Sequence, residues 1–372
     1  WAISCLPAVT GAWAERGGGA IKSNSAYFPF NKEAVERPDL ITGSPRTINM
    51  MQLGRALTEL ESPVYSLFVY NSNPAAVVPE QGLVKKGLAR EELFTVVHEQ
   101  VWTDTARWAD IVLPATTHLE HPDLYASYWH CVLQWAEPVI PRLGECKPNI
   151  EVFRELSKRM GFAEPCFMET AEEIAGQALD LPYWHEQGIS LERVRRERFV
   201  PLQSVPERPF AEGRFATESG KAEVRSDKAE KMGFSAVPRH FPLIEGPETA
   251  NAGYPITLIT PPNHYFLNSS FANLPGLKEK AGEPSIEIHP EDAARRKIQD
   301  GDRVEVFNER GTCRLRAVVR DSVLPGVAVS AGLWWPLDHA DRHGVNTLTP
   351  SRLSDMGNGA TFFSNLVEIR KV

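Results

Sequence analysis

The sequence has few cysteines, no long apolar runs and no excess of positive charge. Its five cysteines, at 5, 131, 146, 166 and 313, are an odd number without any Cys-x-x-Cys pair. Neither a disulfide framework nor a zinc or iron–sulfur cage is therefore indicated. No stretch approaches the roughly eighteen uninterrupted apolar residues of a membrane-spanning helix. Forty Lys and Arg stand against 48 Asp and Glu, a net charge of −8, which argues against a surface that neutralises nucleic-acid phosphates. The 26 glycines and 29 prolines among 372 residues fall short of low-complexity levels and exclude wholesale disorder. A starting Met, a charged leader and an apolar signal core are also absent ahead of Trp1. The chain thus reads as a piece of something longer, whose export signal, if any, would lie outside it, so its absence decides nothing; the expected compartment is cytoplasmic.

What is present is a globular composition, 42% hydrophobic and 24% charged, in a chain long enough for two or three domains. Ile3, Leu6, Val9 and Trp13 recur at helical spacing and predict a packed helix over Trp1 to Gly11, ended by Gly17-Gly18-Gly19. Met50 to Leu60 predicts a second amphipathic helix. Short apolar runs then alternate with helical stretches: Leu67–Tyr70, Leu93–Val97 and Ile111–Leu113, separated by helices near Glu80–Leu88 and Asp104–Ala109. That alternation predicts adjacent parallel strands in an α/β layer. A helix is expected over Ile150–Met160, and the mixed-sign run Glu192–Arg198 reads as a solvated helix face. After Tyr254 the pattern becomes β, with runs at Ile256–Thr260, Ser285–His289, Arg303–Asn308, Cys313–Arg320, Val327–Ala331 and Leu366–Ile369, and a helix at Pro290–Lys297. Short strands with tight turns predict a closed barrel. The expected division is 1–165, an α/β part, 166–250, a linker and accessory segment, and 251–372, the barrel.

In an open parallel sheet, ligands sit beyond the carboxyl ends of the strands. Those positions are polar here: Asn71-Ser72-Asn73-Pro74 follows the first run and His98-Glu99 the second. Amides can bind phosphate or sugar, and a carboxylate can accept the paired N–H donors of a guanine-type edge; spacing alone also fits ordinary turn and cap residues. Other motifs fail. Glu218-Ser219-Gly220-Lys221-Ala222 lacks the first glycine and the Ser or Thr of a phosphate-binding loop. His118-Leu119-Glu120-His121 is not the zinc-binding HExxH pattern, and His339 and His343 read as surface histidines near a loop. No metal ligand or catalytic set is assigned.

The segment Leu67 to Pro114, LFVYNSNPAAVVPEQ…FTVVHEQVWTDTARWADIVLP, followed by Ala115-Thr116-Thr117-His118-Leu119-Glu120, resembles the molybdopterin oxidoreductases of the dimethyl sulfoxide reductase type, which include formate dehydrogenases and nitrate reductases. Arg214-Phe215-Ala216-Thr217-Glu218-Ser219-Gly220-Lys221-Ala222-Glu223 resembles the linker of that family, and Tyr254 to Val372 resembles its molybdopterin-dinucleotide-binding barrel. The resemblance implies an α/β parallel-sheet layer followed by a C-terminal β-barrel of the double-psi type. It further implies two molybdopterin guanine dinucleotides with molybdenum or tungsten in the complete enzyme, a small-molecule substrate and an electron-transfer partner. The module that would hold an iron–sulfur cluster and the domain that would ligate the metal are not recognisable. The chain resembles the C-terminal half with part of the middle, needs the N-terminal half as partner and is expected to be inactive alone.

By motif, Asn73, His98 and Glu99 correspond to dinucleotide contacts, with Glu99 on the guanine edge, and His121 and Asn149 fall where further contacts are placed. Thr260, Pro261, Asn268 and Ser269 correspond to the loop around the pterin, and Asn346 to the asparagine of a late loop. The common Thr-Gly-Arg is Thr260-Pro261-Pro262 here, which removes a guanidinium, and a frequently basic late position is Phe363. The function so implied is two-electron redox or oxygen-atom transfer by the complete enzyme. The alternatives are a non-catalytic scaffold subunit within a larger redox complex and a generic nucleotide-binding module.

Overall fold

The computed structural model describes residues 1–251 and 253–372. Its strands are β1 (Ser66–Tyr70), β2 (Phe94–Glu99), β3 (Ile111–Pro114), β4 (Asp123–Ala126), β5 (Val132–Ala136), β6 (Phe199–Pro201), β7 (Ile256–Ile259), β8 (Ser285–Ile288), β9 (Arg303–Asn308), β10 (Gly311–Val319), β11 (Val327–Val329) and β12 (Leu366–Lys371). They form a three-stranded parallel sheet, a closed barrel of β7 to β12 and a three-stranded antiparallel sheet, β4-β5-β6. The fold is α/β with a C-terminal barrel, as the two changes of periodicity indicate.

The chain divides otherwise than into consecutive segments. One compact unit takes residues 45–115 and 242–372, the other 1–44 and 116–241. The parallel sheet and the barrel share a unit although more than a hundred residues separate them in sequence, and the expected linker 166–250 is largely folded into the second unit.

In the first unit the order β1-β2-β3 is parallel, with Tyr70 opposite His98 and Glu99 opposite Pro114, so the polar strand ends lie side by side. Helix Leu53–Thr58 packs on helix Gln81–Leu88 at glycine contacts. A Cβ on Gly87 would lie 2.4 Å from Cβ of Leu57, and one on Gly54 2.9 Å from Cβ of Leu83. The expected helix over Met50–Leu60 is realised as a 3-10 turn, Met50–Gln52, followed by Leu53–Thr58. Gly87→Ala should force the two helices apart and cost about 1–3 kcal/mol. A thermal melt reads this as a fall of several degrees, and an unchanged midpoint would contradict the close packing.

The barrel closes in the order β10-β8-β11-β7-β12-β9. Alternation sends Val304 and Val306 of β9 and Cys313, Leu315 and Ala317 of β10 into a core shared with Ile256, Leu258, Ile286, Ile288, Val367 and Ile369. Asn308 is a buried polar exception whose amide nitrogen donates to the Leu348 and Leu366 carbonyls at 2.9 and 3.2 Å. Arg310 grips Glu245 with two bonds of 2.9 and 2.7 Å, both groups largely buried.

In the second unit the β4-β5-β6 sheet packs on helices Ala171–Ala178 and Leu191–Glu197. The core is built around Trp184, Leu133, Trp135 and Val200. Thr170 and Glu173 form a reciprocal cap at the start of Ala171–Ala178. The run Glu192–Arg198 is a solvated helix face: Arg193 pairs with Glu197, and Arg195 and Arg198 with Glu137. Helix Ala2–Val9 forms where the spacing predicts it, but Ile3, Leu6 and Val9 are exposed, so the expected packing of that helix is not found. No helix among the described residues is long and apolar enough to cross a membrane.

Candidate functional site

In the first unit, segments that follow β1 and β2 are hydrogen-bonded to the loop that follows β11. Beyond β1 the chain turns at Asn71, which takes a left-handed φ of 53°, and Asn73 opens helix Pro74–Val77. Proline at the first helical position suits this turn because it needs no N–H there. Asn73 is buried, and its Oδ1 accepts from the N–H and hydroxyl of Thr105 at 3.2 and 2.7 Å. Thr105 Oγ1 in turn accepts from Ala75 N at 3.0 Å. The amide nitrogen of Asn73 has no hydrogen-bond partner among the described residues. An unpaired buried donor costs about 1–3 kcal/mol, which an acceptor oxygen from a ligand would recover.

β2 ends in His98, which is buried, and Glu99, half-buried. One Glu99 oxygen accepts from Gln100 N at 2.8 Å. Burial pushes the Glu99 carboxyl above the usual carboxylate range, against the lowering effects of that N–H and of His98. A desolvated carboxylate at a strand end is relieved by N–H donors.

The barrel contributes two loops at the carboxyl ends of β7 and β11. Thr260 and Pro261 follow β7, and the Pro261 carbonyl accepts from Gly332 N at 2.8 Å. Gly332 takes a φ of +84°, and a Cβ there would lie 2.6 Å from Cβ of Asn263. Asn268 is exposed with a φ of 48°. The Ser269 carbonyl accepts from the indole N–H of Trp335 at 2.9 Å, and Phe266 packs edge-on against Trp334. The Thr260–Ser269 loop is thereby fixed to the loop that follows β11.

That second loop reaches the parallel layer. Asn346 is buried; its amide nitrogen donates to the Ala76 and Val77 carbonyls at 3.1 and 3.0 Å, and its Oδ1 accepts from the Thr349 hydroxyl at 3.2 Å. The side-chain hydrogen bonds of Asn346 therefore tie the late loop to the helix begun by Asn73. Gln81 Oε1 accepts from Gly344 N and the Thr347 hydroxyl at 3.0 and 3.2 Å. Asp104, next to Thr105, accepts from Leu337 N at 3.2 Å. Thr105, Gln81 and Asp104 escaped sequence reasoning; the Thr-Asp-Thr that follows Trp102 was the available signal.

His121 and Asn149 belong to the second unit. His121 Nδ1 shares a hydrogen bond of 2.9 Å with the Thr116 hydroxyl, and Asn149 is the first residue of helix Asn149–Met160. Glu120 is buried and accepts from Thr117 N, the Thr117 hydroxyl and Leu143 N, which hold its carboxyl below the usual range. It organises its own loop, and no metal-holding group of His, Cys, Asp or Glu occurs among the described residues. His339 departs from its reading as a surface histidine. It is buried, with Nδ1 3.6 Å from Cys313 Sγ, because its loop folds back over the mouth of the barrel. Phe363 is exposed. A depression lined by Arg295, Arg296, Glu368 and Arg370 lies at the opposite end of β7 from Thr260, and Arg296 there is paired with Glu368.

In the first unit the parallel layer and the loop after β11 are thus joined by the side-chain hydrogen bonds of Asn346, Gln81 and Asp104. Residues 4–159 match the family model "Molybdopterin oxidoreductase" and residues 256–366 the model "Molydopterin dinucleotide binding domain". The chain belongs to the molybdopterin oxidoreductase family. It is 46% identical over 376 aligned residues to the probable oxidoreductase YoaE of Bacillus subtilis, covering all of this chain and 54% of that protein. It is also 31% identical to the dimethyl sulfoxide/trimethylamine N-oxide reductase of Cereibacter sphaeroides, over 79% of this chain and 40% of that one. In fold it resembles the acetylene hydratase of Pelobacter acetylenicus, with a TM-score of 0.72 and 20% identity over 99% of this chain and 52% of that one. The chain spans about half the length of the Bacillus relative.

Proposed function

We propose that this chain is the cofactor-holding C-terminal portion of an oxidoreductase that binds molybdopterin guanine dinucleotide, two per complete enzyme, with molybdenum or tungsten. The observation that carries the reading is Glu99: a half-buried carboxylate at the end of a parallel strand, raised by desolvation and bonded to Gln100 N. It suits a base edge with two adjacent N–H donors, which is the guanine edge. The unpartnered buried amide of Asn73 fits a phosphate or ribose oxygen, and His98 stands beside Glu99 in sequence. Thr260, Pro261, Asn268, Ser269 and the loop anchored by Asn346 would hold the pterin side, and His121 and Asn149 would supply further dinucleotide contacts.

When bound, the metal and its pterins supply two-electron or oxygen-atom transfer chemistry. The residues of this chain bind and orient them. Asn73 donates, Glu99 accepts, and the hydrogen bonds of Asn346 keep the late loop against the helix at Asn73. The substrate is a small molecule, electrons come from or go to a partner, and any iron–sulfur cluster lies outside this chain. Similarity to the sulfoxide and N-oxide reductase supports oxygen-atom transfer as the reaction class. The test is metal and pterin analysis of the full-length protein with an assay of sulfoxide and N-oxide reduction by a reduced dye. Stoichiometric metal and pterin with turnover is the expected result; a protein that carries neither group would be a scaffold and overturn the reading.

A further inference from the structure

The late loop of the barrel, residues 336–347, is fastened to the parallel layer by hydrogen bonds and also buries two titratable side chains that these contacts do not explain. Asp104 is 5% exposed, with one oxygen on Leu337 N and the other without a hydrogen-bond partner among the described residues. His339 is 4% exposed and sits against the Cys313 thiol of β10, whose Sγ is also 3.1 Å from the His343 carbonyl. Burial disfavours the charged form of each, but the charged forms carry opposite signs.

We propose that the late loop is a clasp whose closure is buffered against pH by Asp104 and His339: in mildly acidic solution, closing it leaves the carboxyl protonated and the imidazole neutral, so one proton is gained where another is released.

The surrounding charges do not undo this. Lys85, on helix Gln81–Leu88, donates to the Arg342 carbonyl and faces both groups, favouring the ionised carboxylate and the neutral imidazole. Asp338, paired with Lys278 of helix Pro275–Ala281, faces both and favours the proton on each, and Asp341 does the same for His339. A backbone hydrogen bond with Arg314 of β10 also favours the proton on His339. Desolvation outweighs them all and moves the two groups apart, Asp104 up from 3.8 to about 6 and His339 down from 6.5 to about 4.

The signs follow from linkage. Asp104, raised in the closed state, favours closure most below its open-state value and loses that advantage as pH rises to about 6. His339, lowered in the closed state, favours closure above 6.5 and loses it as pH falls to about 4. Between these limits the two slopes cancel. The loop that carries Asn346 to the start of the Asn73 helix then stays closed across the acid range.

Hydrogen exchange of residues 336–346 in the full-length protein, corrected for intrinsic rates and compared at pH 4.5 and 7, tests this without any cofactor and is therefore independent of the dinucleotide reading. Wild type should change several-fold less than either single variant. Asp104→Asn leaves His339 alone and should be roughly thirty- to a hundredfold less protected at pH 4.5 than at 7. His339→Gln should show a change of similar size in the opposite direction. Asp104→Ser and His339→Asn replace these variants if either fails to fold. A wild-type change of tenfold or more, flat variants, or variants that move in the same direction would overturn the proposal.

Discussion

Glu99→Gln in the full-length protein is expected to weaken dinucleotide retention by about 30- to 1,000-fold, the loss of roughly 2–4 kcal/mol when a charge-assisted acceptor pair becomes an amide. An amide offers one acceptor and one donor where the guanine edge presents two donors, so one bond is lost and a donor opposes a donor. Glu99 is the last residue of the middle strand β2, opposite Pro114 of β3, and lies half-buried at the strand end rather than in a core, so the variant should fold normally. The carboxyl is raised by burial, which adds a pH signature. Retention in wild type should fall as acid protonates Glu99, and the Gln variant should show no such step. The check is pterin and nucleotide content after extended dialysis at several pH values; equal content in the two proteins would remove Glu99 from the site.

Trp184→Ala should produce the largest loss of stability. Trp184 is fully buried, its indole N–H donates to the Pro29 carbonyl at 2.7 Å, and its ring packs against Phe30 and Tyr183. Removal leaves a cavity and takes the donor from a partly buried carbonyl, at a cost of about 3–5 kcal/mol. For a unit of this size that is a drop of roughly 10 °C in the midpoint, at about 2–4 °C per kcal/mol. Calorimetry showing a midpoint within a degree or two of wild type would contradict the central place of Trp184 in the second unit.

The sheet that surrounds Trp184 is also where sequence reasoning fell short. β4, β5 and β6 have four, five and three residues, and β6 follows β5 only after four α-helices, so no local pattern joins them. The parallel strands and the barrel were legible because each is a run of β-branched and aliphatic residues closed by turn-forming residues, and because neighbouring β9 and β10 meet in a hairpin. Order along the chain was misleading for the compact units, since the parallel layer is completed by residues beyond 242, a contact no window of sequence contains.

At the candidate site, the strand-end rule picked out Asn73 and Glu99 because both stand within three residues of the end of an apolar run. It could not find Gln81 and Asp104, whose partners Gly344, Thr347 and Leu337 come from the barrel. His339 was misread for the same reason: its burial depends on Cys313, and a polar loop sequence gives no sign of what it covers. Asn346 was singled out by resemblance, while the structure adds the backbone carbonyls that its amide serves.

The most direct test of the account is to release the nucleotide from the purified full-length protein by mild acid hydrolysis and identify it by chromatography beside a metal determination. A carboxylate at Glu99 that reads two adjacent N–H donors predicts guanosine monophosphate in step with the metal, and a sharply reduced yield from Glu99→Gln. A cytidine or adenosine nucleotide, or metal-bearing protein that releases no nucleotide, would contradict it.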